Sequence, residues 1–174
     1  MVDRHEGQDL APVGTTAAEE PVVPQEQGIR YDENLPEDKA ALAYRVRRAL
    51  EENEPLRGTR APILVTMRDD VVVLRGRVRT RSLKSIAASI AARVPGVGRV
   101  ENELVADPDV EQDVAVALSR DPVTREHRVL VSSYYGVVHL SGDVPDDEVA
   151  QRAATVAAGV PTVARVVSHL VVVR

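Results

Sequence analysis

The stretch Val71–Val78, VVVLRGRV, returns 66 residues later as Val137–Val144, VVHLSGDV. Each stretch follows a shorter apolar run that ends in a turn, a pattern that predicts a β-hairpin. The same offset of 66 relates Val94-Pro95 to Val160-Pro161 farther along the chain. A constant offset without a gap indicates that one structural module has been copied.

Helical patterns flank both hairpins, and a last strand closes each copy. Ahead of the first hairpin, apolar residues recur at i, i+4, i+7 and i+8, beginning at Leu42 and at Val110 in the two copies. An alanine-rich amphipathic pattern follows each hairpin. The order α-β-β-α-β predicts an α+β fold of two modules, each a three-stranded mixed sheet with helices packed on one face. We assign residues 1–33 to a disordered acidic tail, 34–106 to the first module and 107–174 to the second.

The composition excludes several classes of protein. The 174 residues include no cysteine, so disulfides, thiolate metal sites and a lipid-anchoring cysteine are excluded. No signal peptide and no apolar run long enough for a transmembrane helix is visible. The expected location is therefore cytoplasmic, and peripheral association with a membrane is compatible with it. An export signal would be hidden only if the start of the sequence were misassigned.

The charge is distributed unevenly. Residues 38–106 carry fourteen Lys/Arg and eight Asp/Glu, a net charge of +6, whereas residues 107–174 carry six Arg and ten Asp/Glu, a net charge of −4. Phe and Trp are absent, and only Tyr134 and Tyr135 could offer bases a stacking platform beside the hairpins. Nucleic acid is therefore a poor candidate partner.

The hairpin and the corner that precedes the last strand resemble those of the BON domain, the family named for bacterial osmotic-shock and nodulation proteins. Gly136–Val144 reads GVVHLSGDV, and Val94–Val97 reads VPGV, both close to the family pattern. Departures are Thr162 and Asp70, which stand where the family has glycine. The resemblance spans both modules and implies a tandem two-BON protein with the fold described above.

The resemblance also implies a function. BON domains are regarded as non-catalytic binding modules linked to phospholipid or envelope association, and some are stress-related. The preferred hypothesis is thus a non-enzymatic protein whose partner is an anionic phospholipid surface or an envelope protein. The alternatives are a cytoplasmic protein-interaction scaffold, including self-association, and a small-ion or small-ligand sensor.

A run of arginines occurs only in the first module: Arg75, Arg77, Arg79 and Arg81. Alternate side chains of a strand share a face, so the arginines within the strand should point away from the helices. One interpretation is a docking surface for anionic headgroups; four arginines would contribute about 4 kcal/mol, which is only millimolar-grade binding. The other is a solvated face that is paired with Glu101 and Glu103 on a neighbouring strand or covered by the acidic tail.

The glycines of the family signature are Gly76, Gly136 and Gly142, and we interpret them as structural. Gly76 and Gly142 lie within strands, where glycine permits a close approach; we expect that approach to be between helix and sheet, with ligand contact as the alternative.

No catalytic, cofactor or metal site is predicted. His139 and His169 occupy outward strand positions without a third ligand at suitable spacing. Asp69-Asp70 fits a turn, and no nucleophile has a base at motif spacing. The chain is therefore predicted not to be an enzyme and to use no cofactor.

Overall fold

The computed structural model of the chain describes residues 28–173. The first module has seven elements, two more than predicted because a short strand precedes it and a short helix follows the first helix. In chain order they are β1 (Ile29–Tyr31), α1 (Glu37–Glu51), α2 (Glu54–Arg57), β2 (Ile63–Arg68), β3 (Val71–Val78), α3 (Arg81–Ala92) and β4 (Arg99–Ala106).

The second module repeats the core of this arrangement. It consists of α4 (Asp107–Arg120), β5 (Leu130–Tyr134), β6 (Val137–Val144), α5 (Asp147–Ala158) and β7 (Arg165–Val172). In each module the hairpin is antiparallel and the last strand is parallel to the second hairpin strand. The prediction of two α-β-β-α-β modules with mixed sheets is confirmed.

Small apolar side chains fill both cores. On β3 the inward positions Val72, Leu74 and Val78 are fully buried, and alanines of α3 let that helix lie close to them. The second module repeats this with Val138 and Leu140 of β6 packed against alanines of α5. The helices thus cover one face of each sheet, and the opposite face is left to other interactions.

The strand β1 was not anticipated, and it makes the first sheet four-stranded, in the order β1-β2-β3-β4. It runs parallel to β2, with Ile29 opposite Ile63 and Tyr31 opposite Val65. Ile29 is buried in the first core, so its apolar side chain and the strand hydrogen bonds order this segment. Residues 29–31 of the range that we assigned to the tail therefore belong to the first sheet. The remaining tail residues, 1–27, lie outside the described part of the chain.

No linker separates the modules. Ala106 is the last residue of β4 and also the N-cap of α4, and Asp107 is the first residue of that helix. Since β4 pairs with β3 as far as Val78 opposite Ala106, the start of α4 is held beside the end of β3. The four arginines lie along or just beyond that strand.

Candidate functional site at the junction of the modules

Arg75 lies on the open face of the first sheet and is paired within the first module. Its Nε atom is 2.6 Å from Glu103 Oε2, and Arg68 bonds both Glu101 and Glu103 at 2.9 and 3.0 Å. The hydrogen bond from Arg75 is the main cause of a lowered pKa for Glu103, and it also raises the pKa of Arg75. Val73, on the same face, is fully buried, as expected where long charged side chains lay their stems over apolar surface.

Arg77 reaches across to the second module. Its Nη1 atom donates to the backbone oxygen of Thr162 at 2.7 Å. The guanidinium also lies against Gly136, where any side chain would collide with it. Gly136 thus serves two purposes, since it also has the positive φ of 79° that the second hairpin turn requires.

Arg79 makes the most contacts across the junction. Its Nη1 atom donates to Asp107 Oδ2 and, at 2.8 Å, to the backbone oxygen of Ser133. The guanidinium carbon lies 4.4 Å from the centre of the Tyr134 ring, a cation–π distance. Arg79, which directly follows β3, therefore joins the first module to the last two residues of β5.

Asp107 collects hydrogen bonds from three parts of the molecule. Besides Arg79, it accepts from Ser133 Oγ, from the Tyr135 N–H and from the Gly136 N–H, each at 2.9 Å. Its side chain is only 3% exposed. A buried carboxylate is tolerated when it is paired and fully hydrogen-bonded, which is the arrangement here.

Arg81 completes the row. Its Nε atom is 2.6 Å from Asp109 Oδ1, and its Nη2 atom donates to Gln112 Oε1 at 3.0 Å, both on α4. Lys84 approaches the same aspartate at 3.9 Å.

Three of the four arginines therefore contact the second module, and Arg75 contacts the first. Glu103 is a partner of Arg75, as one interpretation of the sequence predicted. That Arg77, Arg79 and Arg81 join the two modules was not predicted. Anion binding at these four positions stays a prediction, and an anion would have to compete with the contacts above. The missed partners, Asp107, Asp109 and Tyr134, have Lys39, Ala41 and Arg68 at the equivalent positions of the first module. The first module thus has arginines, and the second has acidic and aromatic residues, at positions where the other copy lacks them. This difference between the copies was the signal in the sequence that the modules contact each other.

The two strand glycines permit a close approach to neighbouring backbone, and not the approach between helix and sheet that we expected from the sequence. Gly76 and Gly142 have φ values of 133° and 132°, which side chains rarely adopt. A Cβ at Gly142 would lie 2.7 Å from the backbone oxygen of Arg128, and one at Gly76 would collide with that of Pro62. The close approach is thus to the segment that leads into the neighbouring strand.

A second group of cations surrounds the corner between α3 and β4. The Arg45 guanidinium lies over Gly96, 3.4 Å from where a Cβ would stand, while Arg93 and Arg99 flank that corner in the chain. All three are exposed, and none has an ion pair or side-chain hydrogen bond with another residue of 28–173. We call Arg45, Arg93 and Arg99 the basic corner. Asp69 and Asp70 occupy the adjacent hairpin turn and reduce its net charge.

The BON domain model matches residues 38–108 and again residues 106–174. The chain belongs to the BON domain family. The two matches cover both modules, so this is a tandem two-BON protein, and BON domains are generally non-catalytic binding domains often linked to membrane or envelope. A search of the curated proteins found no match.

The BON tandem is also similar to solved structures of CdsD, a structural protein of the type III secretion system of Chlamydia trachomatis. One has a TM-score of 0.55 at 17% identity and covers 76% of this chain and 61% of that chain. Another, the C-terminal domain of CdsD, has a TM-score of 0.57 at 17% identity, covering 75% and 64%. The chain thus spans less than two-thirds of either structure, and at this identity the similarity concerns the fold alone.

Two further observations concern residues 28–173 of the BON tandem. No group of three or more His, Asp or Glu in residues 28–173 is placed to hold a metal ion. None of the helices between residues 28 and 173 is both long enough and apolar enough to cross a bilayer.

Proposed function

We propose that this tandem BON protein is a non-catalytic binding protein that associates peripherally with anionic phospholipid surfaces through its first module. The observation that carries the proposal is the basic corner. Its three exposed arginines have no ion-pair partner in the described chain, whereas Arg75, Arg79 and Arg81 are committed to carboxylates. Cations that are free of internal partners can meet phosphate without first losing a contact.

The corner suits weak, salt-dependent association. A basic residue near an anionic bilayer contributes about 1 kcal/mol, so three contribute about 3 kcal/mol, a factor of roughly 100 in partitioning. The first module as a whole carries +6, against −4 for the second. The protein should therefore meet the bilayer with its first module.

Co-sedimentation with phosphatidylglycerol vesicles tests this proposal. The triple variant R45Q/R93Q/R99Q should lose most of the binding seen at low salt. The matched control R120Q/R125Q/R128Q removes the same number of charges from the acidic second module and should bind as wild type. Equal losses in both triples, or no binding of wild type to anionic vesicles at low salt, would overturn the proposal. The measurement is repeated with a chain that begins at Gly28, so that the acidic residues of 1–27 cannot compete with the phospholipid for the arginines.

A protein-interaction scaffold is the second candidate function. It is supported by the open face of the second sheet, where Leu130 and Val171 are 54% and 56% exposed. Since apolar area of this kind favours self-association, the mass measured by light scattering should rise with protein concentration. The variant L130S/V171T should remain monomeric at the concentrations where wild type associates, whereas a monomeric wild type at high concentration would exclude self-association.

A further inference from the structure

Two histidines that are distant in sequence meet on the open face of the second sheet. His139 lies on β6 and His169 on β7, and the parallel register places Val167 opposite His139 and Ser141 opposite His169. His139 Nδ1 is 3.3 Å from His169 Nε2. The rings are stacked, with planes 4° apart and centres 5.5 Å apart.

This nitrogen-to-nitrogen distance is the one that a shared metal ion imposes. Zinc binds imidazole nitrogen at about 2.0–2.1 Å in tetrahedral geometry, so two nitrogens on one ion stand about 3.3–3.4 Å apart. In the stacked arrangement the two lone pairs do not point at a common position. Metal binding therefore requires a ring to turn about χ2, a rotation that is soft for imidazole, and the His169 side chain is exposed.

The pair is a property of the second module alone. The equivalent positions of the first module are Val73 and Glu103, one buried and one occupied by the arginine network. In the second module the cross-strand neighbours of the two histidines are Ser132, Ser141 and Val167. His169 is exposed and His139 is half-buried.

We propose that His139 and His169 form a two-histidine site for a divalent transition-metal ion. Imidazole favours Ni²⁺, Cu²⁺ and Zn²⁺ over Mg²⁺ and Ca²⁺. With two protein ligands, the remaining coordination positions are filled by water or by a ligand from outside the chain. Binding is therefore weaker than in a closed four-ligand zinc site, and the ion exchanges readily.

Calorimetric titration of the full chain with Zn²⁺ tests the site. Wild type should bind with an affinity at least tenfold higher than H139A or H169A, and each single variant should lose the site because one imidazole holds the ion poorly. H127A and H5A, which remove the other two histidines of the chain, should bind as wild type. Both site histidines are on the sheet surface, and unchanged circular dichroism verifies that the variants are folded.

The outcomes separate the site from its alternatives. Equal affinity of wild type, H139A and H169A would overturn the proposal and leave a stacked, hydrogen-bonded histidine pair. A loss in H127A or H5A equal to that in H139A would likewise place the ion elsewhere and overturn it. A ratio of one ion to two chains with a doubled mass would support the site and identify the second copy as the source of the outer ligands.

Discussion

At the scale of single residues, Asp107 determines how the two modules meet. It is the first residue of α4, where a negative charge is favoured by the helix dipole. It also accepts from the two N–H groups of the Tyr135-Gly136 turn and from Arg79. One carboxylate therefore contacts the hairpin turn of the second module and Arg79, which follows β3 of the first module, from the start of α4.

Replacing Asp107 by alanine should cost about 3 kcal/mol in free energy of unfolding, because it leaves buried N–H groups without acceptors and Arg79 without its counter-charge. Urea unfolding measures the loss. The control is D109A, which removes a more exposed carboxylate on the same helix turn and should cost no more than about 1 kcal/mol. Similar costs for D107A and D109A would contradict the role given to Asp107.

At the scale of elements, the two sheets differ at their hairpin edges. The edge of β2 is covered by β1, but α4 begins directly from β4, which leaves no segment ahead of it to cover the edge of β5. Glu111 replaces the missing strand in part, since its Oε1 atom accepts from the Ser133 N–H at 2.8 Å. A charged side chain on an open edge also discourages pairing with another chain.

The helices of the second module are joined by a further ion pair. Arg152 of α5 bonds Asp121, which follows α4, at 2.6 Å, and this hydrogen bond is the main reason why the pKa of Asp121 is lowered. A lowered folded-state pKa means that the pair stabilises the protein fully above the unfolded pKa, and that this stabilisation is lost as pH falls through the folded pKa. The ordinary pKa of an aspartate, taken here for the unfolded state, is 3.8.

We therefore expect R152Q to be less stable than wild type at pH 6, with the difference shrinking as the pH falls below 3.8. Unfolding free energies measured between pH 6 and pH 2.5 give the comparison, and carboxyl NMR should show the Asp121 pKa rising in the variant. R125Q removes an arginine whose nearest carboxylate, Glu126, is exposed and 3.7 Å away, and should leave the pH profile unchanged. A pH-independent difference between R152Q and wild type would refute the assignment.

At the scale of the whole molecule, the arginines of β3 and of the start of α3 make one unit of two small modules. Each module alone is small for an independent core. We therefore expect the direct passage from β4 to α4, together with the contacts of Arg77, Arg79 and Arg81, to couple the unfolding of the two modules.

The triple variant R77A/R79A/R81A should uncouple the modules and replace one calorimetric unfolding transition by two. The second module should melt first, because within residues 28–173 its sheet has three strands and that of the first module has four. The variant R68A/R75A provides the comparison, because it breaks the arginine–glutamate network inside the first module and should keep a single transition. A single transition in the triple variant would show that the β4–α4 connection alone is sufficient for coupling.

The sequence by itself determined the modules. The 66-residue offset, the strand alternation around Leu74 and Leu140, and the alanine-rich helices gave two α-β-β-α-β folds and the family. These features are local or periodic, so they can be read without knowing what lies next to them in space. Strand β1 was not predicted, because a run of three residues is too short to show a period and forms a strand only by pairing with the edge of β2.

Only the tertiary structure determined which residues the outward-facing side chains contact. Sequence periodicity predicted that Arg77 and Arg79 point outward, but only the position of α4 showed that the second module lies there. In the same way, His139 and His169 become neighbours only through the register of two parallel strands. Periodicity specifies the face on which a side chain lies, whereas its partner is specified by segments that are distant in the chain, and this is why the folds followed from the sequence and the junction did not.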